Sequence, residues 1–441
     1  MKNRYPLCRK GLHSLRTRLQ TGSVLYIVSR ICSILMRYGF TSRRFGELLY
    51  DFIALLRRYG VKPTLPVTAS VLKRHPHMFQ SVQSLGAEFA IHGYRHVDYT
   101  LLTPEEIAEH LHQAENIFRK YNISYSGYRF PYLRSDASRI DQLALQGFQW
   151  DSSEAISWNS LDPRKFDKRE WKLYQRILQT YNASDADTSF ALPFIRKGLV
   201  EIPVSVPDDD ILIERLGLND DELMKKIWEK MIRRIRERGE LLVLQVHPER
   251  FRMYRHALEH LLILAKNWND GWFATLDEIC TWWKERHTFR FDVRKISNNR
   301  YRISAFCTDR ATIEILNGSR ERVIPSQNAD RTSKGKEWEM KCSKKPVIGI
   351  DPKTPAEVAH FIKSEGYAYE ITEDPEECAV FLKECNQFTI TDRHHLLRSI
   401  AKVQTPLIRF MRWPDRMKYG LSITGDIDGV DLWDFWGRFH G

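Results

Sequence analysis

The stretch A-E-F-A-I-H-G-Y-R-H places His92 and His96 four residues apart, directly behind an apolar run. Two imidazoles at that spacing face one cation when they share a helical turn. Gly93 stands where the zinc-protease pattern H-E-x-x-H has its glutamate, so a metal here must take its third ligand and its base from elsewhere. Near the C-terminus, L-S-I-T-G-D-I-D-G-V-D sets Asp426 and Asp428 one residue apart, with Asp431 beyond them, again behind an apolar, strand-like run. A solvated tail has no use for that pattern, whereas a metal site does. An EF-hand does not fit, because Gly437 occupies the place of the closing glutamate. S-G-Y-R-F-P-Y-L-R offers Arg129, Pro131 and Tyr132, and an arginine beside a carboxylate orients it and keeps it ionised. E-L-L-V-L-Q-V-H-P runs six largely apolar residues into His247. Taken singly, each stretch reads equally well as an ordinary loop or packed residue.

The elements around them give the stretches a common place. From Arg43 to Thr275 the chain alternates helical and strand patterns. R-R-F-G-E-L-L-Y-D-F-I-A-L-L-R-R-Y-G puts Phe45, Leu48, Leu49, Phe52, Ile53 and Leu56 on one face and stops at Gly60. Thr103, Pro104 and Glu106 form a capping-box start for a second helix. Strands are expected at 62–68, 87–91, 125–128, 147–150, 199–204, 241–246 and 272–275. The fold class is therefore α/β, a mainly parallel sheet or barrel. His92/His96, Arg129, His247 and Asp426/Asp428 each follow a predicted strand. In a closed βα barrel such strand ends share one rim, where active sites are built.

The organisation beyond the barrel is read as follows: a basic arm over 1–40, the barrel over 41–288, a small antiparallel β module over 289–345 turning at Asn298-Asn299 and Asn317-Gly318, a small α/β segment over 346–404, and a C-terminal strand over 405–441 that completes the active site. Residues 1–46 hold ten Lys/Arg and no Asp or Glu, so the net charge of +12 sits almost wholly in the arm. The rest is nearly balanced, and no recognition motif points to nucleic acid. The arm reads either as a surface helix in peripheral contact with anionic membrane or as a basic helix packed on the barrel; it is too short in apolar residues to span a bilayer. The seven cysteines, Cys8, Cys32, Cys280, Cys307, Cys342, Cys378 and Cys385, are scattered without a C-x-x-C pair. That usage, with no clear leader cleavage site, predicts a reducing, cytoplasmic setting, peripheral at the membrane if the arm faces lipid.

The set and its order resemble the polysaccharide deacetylases, the NodB-homology, family 4-like carbohydrate esterases. Their pattern is an Asp-Asp motif, then H-[ST]-x-x-H, R-x-P-[YF] and a late L-x-H. Here E-F-A-I-H-G-Y-R-H, G-Y-R-F-P-Y and V-L-Q-V-H-P match the last three, and W-F-A-T-L-D-E-I-C-T-W-W resembles the closing strand and helix. The resemblance covers 41–286. It departs in Asp-Ile-Asp for adjacent aspartates, Gly93 for Ser/Thr, and Gln245 for leucine. The Asp motif is missing ahead of Phe45, and S-I-T-G-D-I-D-G fits the gap, so a circular permutation is expected, with the last strand returning beside 62–68. The resemblance implies a distorted (β/α) barrel of about seven strands and metal-dependent removal of N-acetyl groups from a carbohydrate, whether glycan, lipid-linked sugar or sugar conjugate. It implies one divalent ion, Zn2+ first, on Asp428, His92 and His96. Asp426 would be the base, His247 the acid, the Tyr132 backbone N–H an oxyanion donor, and Arg129 the group that orients Asp426. An acid behind His247 is also expected, with Asp151 and Asp208 as the two candidates. A hydrolase of another amide C–N bond, or a non-catalytic carbohydrate- or lipid-binding protein, are the competing expectations.

Overall fold

A computed structural model describes residues 39–218, 220–317, 320–324, 336–383 and 388–437. The expected basic arm lies outside the described residues except at its end, Gly39 and Phe40. Among the described residues no helix is long and apolar enough to cross a membrane.

The main sheet is built from strands that read as continuous apolar runs, as parallel strands buried on both faces must. Thr64–Val67, Glu88–Ile91, Gly127–Tyr128 and Trp150–Asp151 pair in that order, all parallel. Trp150–Asp151 pairs with Leu199–Glu201, and Ala155–Ser157 with Val204–Val206. Only Ile202-Pro203 separates Leu199–Glu201 from Val204–Val206, so one segment faces Trp150–Asp151 with its first half and Leu241–Val246 with its second. Tyr419–Gly425 lies parallel to Leu241–Val246 on one side. On the other it meets Gly271–Phe273 low down and Thr64 higher up, which returns the order to its start. The result is a distorted (β/α) barrel, with Tyr419–Gly425 filling the place beside Thr64–Val67.

Helices cover this barrel for the reasons legible in their sequences. Arg43–Arg58 buries Phe45, Leu48, Leu49, Phe52, Ile53 and Leu56. Pro104–Lys120 starts with the Thr103/Glu106 capping box, both reciprocal bonds present. Asp221–Arg238 ends on Gly239 in the left-handed conformation (φ 66°) and feeds the Leu241–Val246 strand after two residues.

The chain's return to the barrel has an identifiable anchor. Trp413 is buried against Trp272 and Trp283, and its indole N–H donates to the Gly239 carbonyl at 3.0 Å. Behind it, Tyr419, Leu421, Ile423, Ile427 and Val430 are fully buried. At roughly 1.5–3 kcal/mol for each large apolar side chain taken from water, that burial holds the strand in the barrel wall.

The inserted region is more interleaved than the sequence suggests. Arg290–Ser297 and Arg300–Phe306 form the expected hairpin, with Asn299 at φ 58°, and Lys336–Lys341 adds a third antiparallel strand. Lys345–Ile350, Tyr369–Ile371 and Cys378–Leu382 make a parallel sheet with the helix Ala356–Ser364. Leu407–Phe410, expected to lead into the barrel, instead pairs antiparallel with Ile313–Asn317. The β module is thus closed by a strand from beyond the α/β segment.

Candidate metal and acid–base site

Three of the strands that carry functional residues continue their ladders one residue past their ends. The His92 N–H donates to the Val67 carbonyl (2.9 Å), Arg129 to Ile91 (3.0 Å), and Asp426 to Val246 (3.0 Å). Ile427 donates to Pro66 (2.8 Å), stitching the Asp-Ile-Asp turn to the neighbouring strand. These bonds fix the backbones of His92, Arg129, Asp426 and Ile427 at one rim.

At that rim the carboxylate of Asp428 lies between the two histidines. Its Oδ1 is 3.3 Å from His92 Nε2, and its Oδ2 is 3.2 Å from His96 Nε2. One potential ligand atom from each of the three falls within 4.8 Å of the others. The imidazoles do not converge through a helical turn, as the four-residue spacing suggested. Residues 92–98 form a loop, and Gly93 sits at φ 80°, where a Cβ would come within 2.7 Å of the Tyr99 hydroxyl. The left-handed glycine reverses the chain and brings the rings to a centroid separation of 5.2 Å.

The orientation of His92 is set from behind. Its Nδ1 lies 2.8 Å from the Arg129 carbonyl, which only accepts, so Nδ1 carries a proton and Nε2 is the ring atom turned toward Asp428. Two imidazole nitrogens and one carboxylate are a donor set suited to a divalent ion.

Asp426 is fully buried and paired. Arg129 Nη1 donates to its Oδ1 at 2.6 Å and to Thr424 Oγ1 at 2.7 Å. The same guanidinium donates through Nε to the Ser152 carbonyl and through Nη2 to Ser152 Oγ, both at 2.8 Å. Asp426 Oδ2 is 3.9 Å from His92 Nε2, so this second carboxylate borders the histidine–Asp428 group without bridging it. Tyr132 lies on the next turn, with φ 61° followed by Leu133 at φ 52°, and packs its ring edge-on against His96 at a centroid distance of 4.3 Å. Two consecutive non-glycine residues in the left-handed region cost on the order of 1–3 kcal/mol each and mark this turn as held by its surroundings.

The acid behind His247 is Asp209, not Asp151 or Asp208. Asp209 Oδ1 lies 2.8 Å from His247 Nδ1, and its Oδ2 accepts from Arg250 Nη1 at 3.1 Å. Arg250 Nη2 reaches on to Asp210 Oδ1 at 3.0 Å, and Tyr254 Oη donates to the His247 carbonyl at 3.1 Å. Burial alone would push His247 down, but the charge and hydrogen bond of Asp209 outweigh it and raise the imidazole to about 10. Asp208 instead accepts the Ile211 N–H at 2.9 Å, and burial together with the charges of Asp209 and Asp210 raises it to about 7. Asp151 lies beneath the 129–132 loop. Its Oδ1 accepts from Ser153 Oγ, whose oxygen in turn accepts the Phe130 N–H, and burial raises it to about 6. Asp209 and Arg250 were missed because nothing in the run D-D-D tells which of three aspartates turns back; the signal was the run itself, directly after a buried strand.

Asp431 serves the fold. Its Oδ1 accepts the Trp433 and Asp434 N–H groups, both at 2.9 Å, and its carboxylate and that of Asp434 contact Arg74. His75, Asp431 and Asp434 cluster as well, but the arginine already supplies their positive charge.

Residues 46–150 match the family profile of the polysaccharide deacetylases. A peptidoglycan deacetylase-like protein of Gibberella zeae is 31% identical over 107 residues, 23% of this chain. The chain spans about a third (31%) of that relative's length. Among solved structures, a chain from Mycobacterium smegmatis described as a polysaccharide deacetylase is 20% identical with a TM-score of 0.43, over 55% of this chain and 77% of that one. One from Pseudomonas aeruginosa PAO1, described in the same terms, is 19% identical with a TM-score of 0.44, over 55% and 75%. The likeness to the polysaccharide deacetylases thus spans residues 46–150, about a quarter of the chain.

Proposed function

We propose that this chain is a metal-dependent amide hydrolase that removes N-acetyl groups from a carbohydrate. One observation carries the reading: a C-terminal carboxylate, Asp428, stands between His92 Nε2 and His96 Nε2, beside a second carboxylate held by Arg129. His92, His96 and Asp428 would hold one divalent cation, and mixed nitrogen and oxygen donors favour Zn2+. When bound, such an ion supplies Lewis acidity that eases deprotonation of water near neutral pH and polarises an amide carbonyl.

The remaining roles belong to the chain's own groups. Asp426, oriented by Arg129, takes the proton of the attacking water. The Tyr132 backbone N–H donates to the oxyanion that forms on the acetyl carbon. His247, kept protonated by Asp209, delivers a proton to the departing amine. In this reading the family's first Asp motif is supplied by Tyr419–Gly425 and the turn after it, so the domain is circularly permuted relative to the family pattern.

The test is acetate release from N-acetylated oligosaccharides, run beside small linear and cyclic amides, with Asp426→Asn as the control. Acetate released by the wild type and abolished in Asp426→Asn, with metal still bound, is the expected result. Turnover of the simple amides alone would remove the sugar from the proposal, and retained turnover in Asp426→Asn would reject the base.

A further inference from the structure

The short helix Ala69–Arg74 touches both halves of the histidine–aspartate site. At its start three successive N–H groups donate outward. Thr68 reaches the Ile427 carbonyl at 3.3 Å, Ala69 the Gly93 carbonyl at 2.9 Å, and Ser70 the Tyr94 carbonyl at 2.9 Å. Ile427 lies between Asp426 and Asp428, while Gly93 and Tyr94 lie between His92 and His96. The donors that a helix start leaves without an intrahelical partner thus set the spacing of two segments from distant parts of the chain.

The other end of the helix grips the C-terminal segment again, just past Asp428. Arg74 Nη1 donates to Asp434 Oδ1, and Nη2 donates to Asp431, 3.3 Å from each carboxylate oxygen. His75 Nε2 lies 3.2 Å from Asp434 Oδ2 and 3.7 Å from Asp431 Oδ2. These two carboxylates in turn hold backbone. Asp431 Oδ1 accepts the Trp433 and Asp434 N–H groups, and Asp434 Oδ2 accepts the Val430 N–H at 3.0 Å. Asp428 is therefore bracketed: Ile427 is tied to the helix start and to Pro66, and Val430 is tied through Asp434 to the helix end. Only Gly429 stands between Asp428 and the second tie. The Asp431 and Asp434 side chains are buried side by side, and the Arg74 guanidinium spans both. Removing one partner of a buried ion pair leaves uncompensated charge, here two like charges that drive the turn apart.

We propose that Arg74 is a positioning residue for Asp428, acting through Asp431 and Asp434 with His75 as a second contact, so that the helix Ala69–Arg74 holds the aspartate turn at the distance from the histidine loop that a shared ion needs. This rests on the reading that His92, His96 and Asp428 bind one divalent ion. The test measures Zn2+ affinity of the full chain by competition with a chromophoric chelator, and the visible spectrum of the Co2+-loaded protein, which reports ligand geometry. The variants are Arg74→Gln, Arg74→Lys, Asp434→Asn and, as a control, Arg236→Gln. Arg236 also donates through two nitrogens to one carboxylate, that of Asp270, but from the last turn of the helix that leads into Leu241–Val246, at the opposite end of the strands from the site. Arg74→Gln should weaken Zn2+ binding at least about tenfold and alter the Co2+ spectrum. Arg74→Lys, whose single ammonium still supplies the charge, should recover part of the affinity. Arg236→Gln should lower the melting temperature and leave both metal readouts as in the wild type. Asp434→Asn keeps the volume of the side chain and should weaken binding in the same direction; it decides the question if Arg74→Gln does not fold. If Arg74→Gln binds Zn2+ within about tenfold of the wild type while Asp428→Ala has lost it, the positioning role is wrong and the metal site stands. Equal loss in Arg236→Gln also overturns the role, since the effect is then general destabilisation. A wild type that binds neither ion removes the metal reading and this inference together.

Discussion

Asp209→Asn removes one charge and almost no volume, and its effect should appear first on His247. In the native protein the imidazole is buried, which disfavours its charged form, and Arg250 disfavours it further. Asp209, 2.8 Å from Nδ1, reverses both and holds the group at about 10, with Glu249 adding in the same direction. Without the Asp209 charge, burial and Arg250 prevail, and His247 should titrate below its ordinary 6.5. At pH 8 a group of pKa 10 is ~99% protonated, while one at or below 6.5 is at most ~3% protonated, a fall of at least ~30-fold. The sign for stability follows. A histidine whose folded pKa is raised stabilises fully below its unfolded value near 6.5, and that contribution is lost as pH rises through about 10. The wild type should therefore lose stability between those limits, and Asp209→Asn should not. The direct assay is NMR titration of the His247 ring, with the pH profile of acetate release beside it. A ring that still titrates well above 7 in Asp209→Asn would refute the electrostatic argument.

Arg129→Met strands the Asp426 carboxylate in a buried site and should cost about 3–5 kcal/mol, read by urea unfolding; a loss under about 1 kcal/mol would mean that Asp426 is not paired as described. Gly93→Ser restores the residue type of the family pattern yet should destabilise by about 1–3 kcal/mol, since a Cβ at φ 80° meets the Tyr99 hydroxyl at 2.7 Å; a neutral thermal shift would contradict that geometry. Burial raises Asp151 to about 6, and burial with the charge of Asp151 raises Glu201, so this pair stabilises below the ordinary carboxylate range and loses that contribution as pH rises through about 6. Asp151→Asn should flatten the fall in stability from pH 4 to pH 7, and an unchanged slope in chemical denaturation would discount the pair.

Much of the barrel was legible because its signals are local. Six apolar residues in a row before His247, and Thr103 three residues ahead of Glu106, need no partner to be read. The placement of the tail was inferable because carboxylates behind a buried run have to face something. What escaped depends on distant partners. Asp208, Asp209 and Asp210 are alike in type, but one accepts a local N–H, one holds His247 and Arg250, and one pairs with Arg215 and Arg250. The local turn geometry decides among them, and sequence spacing does not. The histidine pair fits the spacing of a helix, but Gly93 at positive φ makes the same approach from a loop. Leu407–Phe410 was assigned to the barrel by proximity in sequence to Tyr419, whereas its pairing with Ile313–Asn317 is a long-range contact with no local mark.

The central claim is that one divalent ion joins the first quarter of the chain to its last strand. Elemental analysis of the purified protein beside Asp428→Ala, His92→Ala and His96→Ala tests it most directly. The account predicts about one zinc or other divalent ion per chain in the wild type and its loss in each of the three variants with the fold retained by circular dichroism. A wild type that takes up no divalent ion on reconstitution, or an Asp428→Ala protein that retains full occupancy, would contradict it.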